Sequence, residues 1–202
     1  MGLVNVATTN DGSTTEFFDG EAVRRTRDKY SKVRASLQKK GTKGAKRVLK
    51  RLSGRENGWM DDVNHRLSKA LVSKHESGTL FVLEDLSEIS TGEKNLCSRN
   101  SDGRRELRSW AFYDLRKKIE YKARLAGSEV LVVDPRFTSQ RCPTCGNVDK
   151  TARNHEKHEY VCSKCGAKFD DDEVGAMNLR ELGLRHLAGE KNPRFSRGNA
   201  KK

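Results

Sequence analysis

Residues 79–85 read Thr-Leu-Phe-Val-Leu-Glu-Asp. Four apolar residues in a row, preceded by the turn signal Ser77-Gly78 and closed by two acids, are the pattern of a strand buried on both faces. A second such run, Glu129-Val-Leu-Val-Val-Asp-Pro135, halts at a proline that cannot donate to a ladder. Between them Leu107, Ala111, Leu115 and Ile119 mark a helix stopped by Gly127, and before them Trp59, Val63, Leu67 and Leu71 recur every four residues in another. Strands separated by helices imply an α/β layered domain with a mixed sheet and flanking helices.

Toward the N-terminus, Leu3, Asn5 and Ala7 alternate with Val4, Val6 and Thr8 before the turn signal Asn10-Asp11-Gly12, so the chain opens on a strand already under way and turns into a hairpin. A strongly basic helical stretch follows from Glu21 to Arg51, broken by Gly41 and Gly44. Its apolar residues, Val23, Tyr30, Val33 and Leu37, form a narrow stripe, which leaves a broad cationic face. Arg24, Arg25, Lys39, Lys40, Lys43, Lys46 and Arg47 on that face are candidate phosphate contacts. The whole chain of 202 residues carries 41 Lys+Arg against 28 Asp+Glu, a net charge of +13, which points to a polyanionic partner such as nucleic acid. No apolar run approaches the roughly 20 residues needed to cross a bilayer, so no membrane partner is expected. The chain does not open on a basic segment followed by an apolar stretch, and a reducing, cytoplasmic setting is expected for its five cysteines. Cys97, alone in the polar loop from Ser87 to Gly103, reads as a plain thiol.

The other four cysteines form two CxxC pairs, Cys142-Pro-Thr-Cys145 and Cys162-Ser-Lys-Cys165, separated by 16 residues and each followed by a glycine, Gly146 and Gly166. Each pair can place two thiolates on one tight turn, and a hairpin of this length brings the pairs into one tetrahedral site. Four thiolates close the coordination sphere, so a zinc ion there is structural and not catalytic. His155 and His158 lie between the pairs and compete as ligands only in principle.

Two groups of acids stand apart. Glu84 ends the first apolar strand, and Asp170-Asp171-Asp172 precede a final helix marked by Val174, Met177, Leu182 and Leu187. Carboxylates gathered at strand and helix ends can hold Mg²⁺ for a two-metal attack on a phosphate ester. The same residues read equally well as a strand terminus and a helix N-cap.

Together these stretches resemble the TnpB family, also called OrfB, of insertion-sequence proteins. The resemblance rests on "GLVNVATTNDG", "DVNHRLSKALV", "FVLEDL", "TSQRCPTCG", "CSKCG" and "DDDEVGAMNL", which occur in the family's order over nearly the whole chain. It implies an RNase H-like (RuvC-like) fold with an inserted zinc ribbon, Mg²⁺-dependent DNA cleavage directed by a guide RNA, and a link to transposition. DNA and guide RNA are the implied partners, zinc and Mg²⁺ the implied cofactors. Glu84 stands where the family's second catalytic acid stands and Asp172, six before Asn178, where its third does; Cys142, Cys145, Cys162 and Cys165 match the zinc ligands. Gly175 and Ala176 match small residues expected where the last helix packs closely on the sheet. The family's first aspartate belongs to an Asp-x-Gly-x-x-Asn pattern of which Gly2 and Asn5 are present, and the aspartate would fall one residue before Met1. Asp11 lies too far along the strand to substitute for it.

The implied layout is a RuvC-like domain over 1–136, a zinc ribbon over 137–169, the domain's last helix over 170–188 and a basic, flexible tail over 189–202. With two of three acids, the chain alone is expected not to cleave DNA. The competing expectations are a zinc-ribbon protein that binds nucleic acid through phosphates without catalysis, and an adaptor whose ribbon contacts protein.

Overall fold

The computed structural model describes residues 5–86, 112–154 and 156–196. Strands β1 (Asn5–Asn10) and β2 (Thr15–Asp19) form the expected antiparallel hairpin. Its turn is made by side chain and backbone together: Asp11 Oδ1 accepts the N–H groups of Ser13 at 2.7 Å and Thr14 at 2.8 Å. The backbone N–H groups of Thr14 and Ser13 hold the Asp11 carboxyl below its ordinary value. Asp11 is thus occupied with the turn, at the far end of β1 from Asn5.

The basic stretch divides at Gly41 into α1 (Glu21–Lys40) and α2 (Lys43–Ser73). Gly41 takes φ +64°, and Thr42 caps α2 by accepting the Ala45 N–H at 3.2 Å. The sequence places one helix end near Arg51 and a new helix at Trp59; instead α2 runs unbroken for 31 residues through Gly54 and Gly58. A helical glycine costs about 1 kcal/mol relative to alanine, which packing between α1 and α2 outweighs. Tyr30 lies against Trp59 with ring centroids 6.2 Å apart, and Arg34 pairs with Glu56 across the two helices.

Strands β3 (Leu80–Glu84) and β4 (Glu129–Val133) pair in parallel, Leu80 opposite Glu129 and Glu84 opposite Val133. Helix α3 (Phe112–Leu125) leads into β4; the Leu107 and Ala111 expected in it, and Cys97, lie outside the described residues. All five residues of β3 are half-buried rather than covered on both faces. The cause is a groove of about 460 Å³ between β1 and β3, which no ladder joins among the described residues. The two strand pairs therefore form separate ladders, one antiparallel and one parallel, within the α/β layers.

The main core lies where α2 and α3 cover the strands, around Leu67, Leu71, Leu115 and Ile119. Along that seam Lys118, only 7% exposed, donates to Asp61 Oδ1 at 2.6 Å and Asp114 Oδ1 at 2.7 Å, and Asn64 donates to Asp114 Oδ2 at 2.8 Å. Burial would raise the Asp114 carboxyl and lower the Lys118 amine; their mutual hydrogen bonds win, so Asp114 lies below and Lys118 above its ordinary value.

The last helix, α4 (Asp171–Leu187), packs on β1, β3 and β4. Its close approach to the sheet is at Gly183, where a Cβ would lie 2.7 Å from Val82 Cγ2. The expected Gly175 has open space in that direction, whereas Ala176 is buried as expected. The segment after α4 is also anchored further than its composition suggests. Phe195 is 6% exposed, packs with Val133 and Leu182, and lies between the guanidinium groups of Arg141 at 4.5 Å and Arg185 at 5.2 Å. Within the stretch expected as a flexible tail from Gly189 onward, Phe195 thus makes two cation–π contacts and joins a satellite core.

Candidate metal centres and nucleic-acid interface

The chain leaves β4, forms the four-cysteine module, and re-enters the domain through α4. Within the module β5 (Arg153–Asn154), β6 (Glu159–Val161) and β7 (Lys168–Asp170) make a three-stranded antiparallel sheet. The two CxxC turns are built alike. Gly146 and Gly166, at φ +72° and +73°, each donate an N–H at 2.9 Å to the carbonyl of the first cysteine of their pair. Cys142 and Cys162 donate in turn to the carbonyls of Asn147 at 2.8 Å and Ala167 at 2.9 Å. Left-handed φ values are why glycine stands at both positions.

The four sulfurs converge, with Cys142 Sγ 3.7 Å from Cys165 Sγ and Cys145 Sγ 3.6 Å from Cys162 Sγ. Tetrahedral thiolates at about 2.3 Å from zinc lie about 3.8 Å apart, whereas a disulfide needs about 2.05 Å. The cluster can hold a zinc ion. Burial raises the Cys162 thiol, but the backbone N–H groups of Cys165 and Lys164 and the neighbouring sulfurs outweigh it and bring it down to about 6. Cys165 shifts upward despite a bond from the Ala167 backbone, because burial and the other three sulfurs favour its protonated form. Tyr160 fills the centre of the module, fully buried, its hydroxyl donating to the Gln140 carbonyl at 3.2 Å. Burial, then the neighbouring cysteine sulfurs, raises its phenol. Of the two histidines, His155 lies outside the described residues, and His158 faces Asp171 Oδ1 at 3.4 Å instead of the sulfurs.

The three aspartates at the ribbon's exit do three different things. Asp170 is the N-cap of α4, accepting the N–H groups of Asp172 at 2.9 Å and Glu173 at 3.3 Å. Asp171, 2% exposed, accepts from Arg153 Nε at 2.7 Å. Asp172 accepts from Arg153 Nη2 at 3.1 Å on one oxygen and from Asn5 Nδ2 at 3.0 Å on the other. One arginine of the ribbon and one asparagine of β1 thus orient Asp172, and neither role is visible from spacing. The three carboxylates lie close enough to share a cation.

Glu84 sits at the end of β3, where its Oε1 lies 2.7 Å from the Thr138 hydroxyl. It shares no hydrogen bond with Asp172, and the acidic cluster among the described residues does not include it. What connects the two is α4: Asn178 Nδ2 donates at 2.7 Å to the Thr138 carbonyl and at 2.7 Å to that of Arg141, while its Oδ1 accepts from Arg141 Nη1 at 3.0 Å. Asn178 follows Asp172 by six residues, about 9 Å along the helix axis.

All seven candidate phosphate contacts are exposed, and none forms an ion pair among the described residues. The structure divides them. Lys39, Lys40, Lys43, Lys46 and Arg47 gather at the α1–α2 corner, and Arg24 and Arg25 lie near the start of α1, about 22 Å away by helix rise. The first turn of α2 holds no acid, so Lys43 and Lys46 stand at the positive end of a helix dipole, an arrangement that costs stability.

A layered α/β unit with a four-cysteine ribbon spliced before its last helix is the RuvC-like arrangement expected from the sequence, and two solved structures share the fold. The Cas12f1–sgRNA–target DNA complex matches with TM-score 0.62 at 19% identity, over 87% of this chain and 48% of that one. A CRISPR–Cas12f ternary complex matches with TM-score 0.64 at 22% identity, over 84% and 35%. In sequence, the Cas12f1-like TNB domain matches residues 112–179. The CRISPR-associated endodeoxyribonuclease Cas12f1 of Sulfoacidibacillus thermotolerans is 35% identical over 134 residues, covering 65% of this chain and 29% of the relative. The TnpB-like protein MJ0751 of Methanocaldococcus jannaschii is 32% identical over 170 residues, covering 82% and 59%. The chain is thus similar to TnpB-like proteins over most of its length. It spans 29% and 59% of the lengths of those two relatives. None of the described helices is long and apolar enough to cross a membrane.

Proposed function

We propose that these 202 residues are the nuclease-fold and zinc-ribbon part of a transposon-encoded, RNA-guided DNA endonuclease. Glu84 and Asp172 are two of its catalytic carboxylates, and a guide RNA and its DNA target are its partners. The observation that carries this is positional: an acid at the end of β3, then a four-cysteine ribbon, then an oriented aspartate in the first turn of α4, in one family order. Mg²⁺ bound by such carboxylates supplies an activated water and neutralises charge on the leaving oxygen. Asn5 and Arg153 hold Asp172 in one orientation, so its position is set before any ion arrives. The four cysteines hold zinc structurally and so frame the module that Arg153 belongs to.

The cationic corner of α1 and α2 takes the phosphate backbone. Among the described residues its cations have no acidic partners, and two of them oppose the dipole of α2, a cost that phosphate binding would offset.

Purified zinc-loaded chain, with single- and double-stranded DNA and RNA, tests this in two measurements. Binding should weaken steeply with salt, with a slope that falls by about 0.9 for each lysine of the corner replaced by alanine that made a duplex phosphate contact. With Mg²⁺, any cleavage of either DNA form should be lost in Glu84→Gln and in Asp172→Asn. Salt-independent binding would remove the nucleic-acid role of the corner, and cleavage unaffected by Glu84→Gln would remove Glu84 from the catalytic carboxylates.

A further inference from the structure

We infer that Thr138 is a positioning residue for Glu84, held in place by the root of the zinc ribbon and by Asn178. The inference rests on the reading of Glu84 as a metal-binding carboxylate. Thr138 is 1% exposed, and its hydroxyl lies 2.7 Å from Glu84 Oε1 and 2.8 Å from the Pro135 carbonyl. A hydroxyl has one proton to give. The charged carboxylate is the stronger acceptor, and the Pro135 carbonyl is a second acceptor within reach of the same rotor. The donor can therefore fix the rotamer of Glu84 through one oxygen, leaving the other for a cation.

The backbone of Thr138 is fixed just as firmly. Its carbonyl accepts from Asn178, which is fully buried and spends both its amide protons on the loop from Thr138 to Arg141. Its remaining oxygen takes the Arg141 guanidinium, so both amide protons and the carbonyl oxygen are engaged. Gln140, inside the same loop, is held from the ribbon side by Tyr160. The loop from Thr138 to Arg141 is thus tied to α4 on one side and to the cysteine module on the other, and among the described residues the only side chain it extends to β3 in a hydrogen bond is the Thr138 hydroxyl. A loop needed merely to join β4 to Cys142 would not require a buried donor aimed at a carboxylate.

Hydrogen bonds to a ligating carboxylate contribute about ten- to a hundredfold to metal affinity. Titrating Mn²⁺ into the zinc-loaded chain and following free Mn²⁺ by electron paramagnetic resonance tests the role without cleavage. Thr138→Val, which keeps the shape and removes the donor, should weaken Mn²⁺ binding by about tenfold, with zinc content unchanged and the fold retained by circular dichroism. Thr138→Ser, which keeps the donor, should stay within about twofold of the parent. Equal affinity in Thr138→Val and the parent, with Glu84→Gln losing the site, would overturn the positioning role. If the parent shows no Mn²⁺ site sensitive to Glu84→Gln, the metal-site reading itself fails, and the inference with it.

Discussion

Asn178 offers the sharpest test of how the ribbon is joined to the domain. Asn178→Asp changes one atom of the side chain and almost no volume, so cavity formation does not enter. At neutral pH it replaces an amide that donates to two carbonyls at 2.7 Å by a carboxylate that faces both of them. Two hydrogen bonds are lost at about 1 kcal/mol each. The Thr138 carbonyl, in a residue 1% exposed, is left without its donor at a further cost of about 1–3 kcal/mol. The Arg141 guanidinium, already bound to this side chain, offsets part of the new charge. The net loss is about 3–4 kcal/mol, a large share of the roughly 5–15 kcal/mol typical of a domain. Urea unfolding of the zinc-loaded protein, at matched pH, measures it. The deficit relative to the parent should also shrink on acidification, because a protonated aspartate can donate to one of the two carbonyls. A loss under about 1 kcal/mol at pH 7 would show that water or a shifted loop replaces the amide, and the account of the joint would be wrong.

Three more perturbations follow from particular contacts. Gly58→Ala, where a Cβ meets nothing within 4 Å, should stabilise α2 by up to about 1 kcal/mol, whereas Gly183→Ala, where it meets Val82 at 2.7 Å, should destabilise by about 1–3 kcal/mol; thermal unfolding of the two variants should move in opposite directions. Because the Asp114 carboxyl lies below its ordinary value when folded, its contribution is present above about pH 4 and is lost as pH falls through the folded value. Lys118→Met, which removes its partner, should cost about 1–2 kcal/mol at pH 7 and flatten the acid limb of the stability curve; an acid limb identical to the parent's would count against the pairing. Zinc removal with a competing chelator should expose Tyr160 and release one ion per chain while the helical signal of α1–α3 persists, read by near- and far-ultraviolet circular dichroism; retention of the ribbon's tertiary signal without zinc would show that its small core folds unaided.

What can be read in the sequence is what repeats or is spaced. Cys142, Cys145, Cys162 and Cys165 declare themselves because four thiolates on two tight turns have one economical arrangement, and the sulfurs do converge, to 3.6 and 3.7 Å in two of the pairs. The β3–α3–β4 crossover follows from apolar runs joined through a helical stripe. Glycine misleads where tertiary packing overrides propensity, as at Gly54 and Gly58 in the middle of α2. It is informative only where φ turns positive, as at Gly41, Gly146 and Gly166. Hardest to read are single contacts between residues far apart in the chain. Asn5 reaches Asp172 over 167 positions, and Thr138 reaches Glu84 over 54. No periodicity marks either donor, and Asn178 looks in sequence like any polar residue on a helix. Phe195 misleads by its company: a lone aromatic among basic residues has no apolar neighbours in sequence, but the fold supplies two guanidinium planes and Leu182.

That aromatic ring has a mechanical consequence. It is clasped by one arginine from the root of the ribbon and one from the far half of α4, so a load applied at the C-terminus is not borne by the end of the helix alone. It passes through Arg141 into the loop that Asn178 fastens and onward to the first cysteine turn. Pulled from that end, the protein should yield in a set order: the clasp opens first, and the ribbon feels tension only afterwards, as a separate rupture whose force depends on the bound metal.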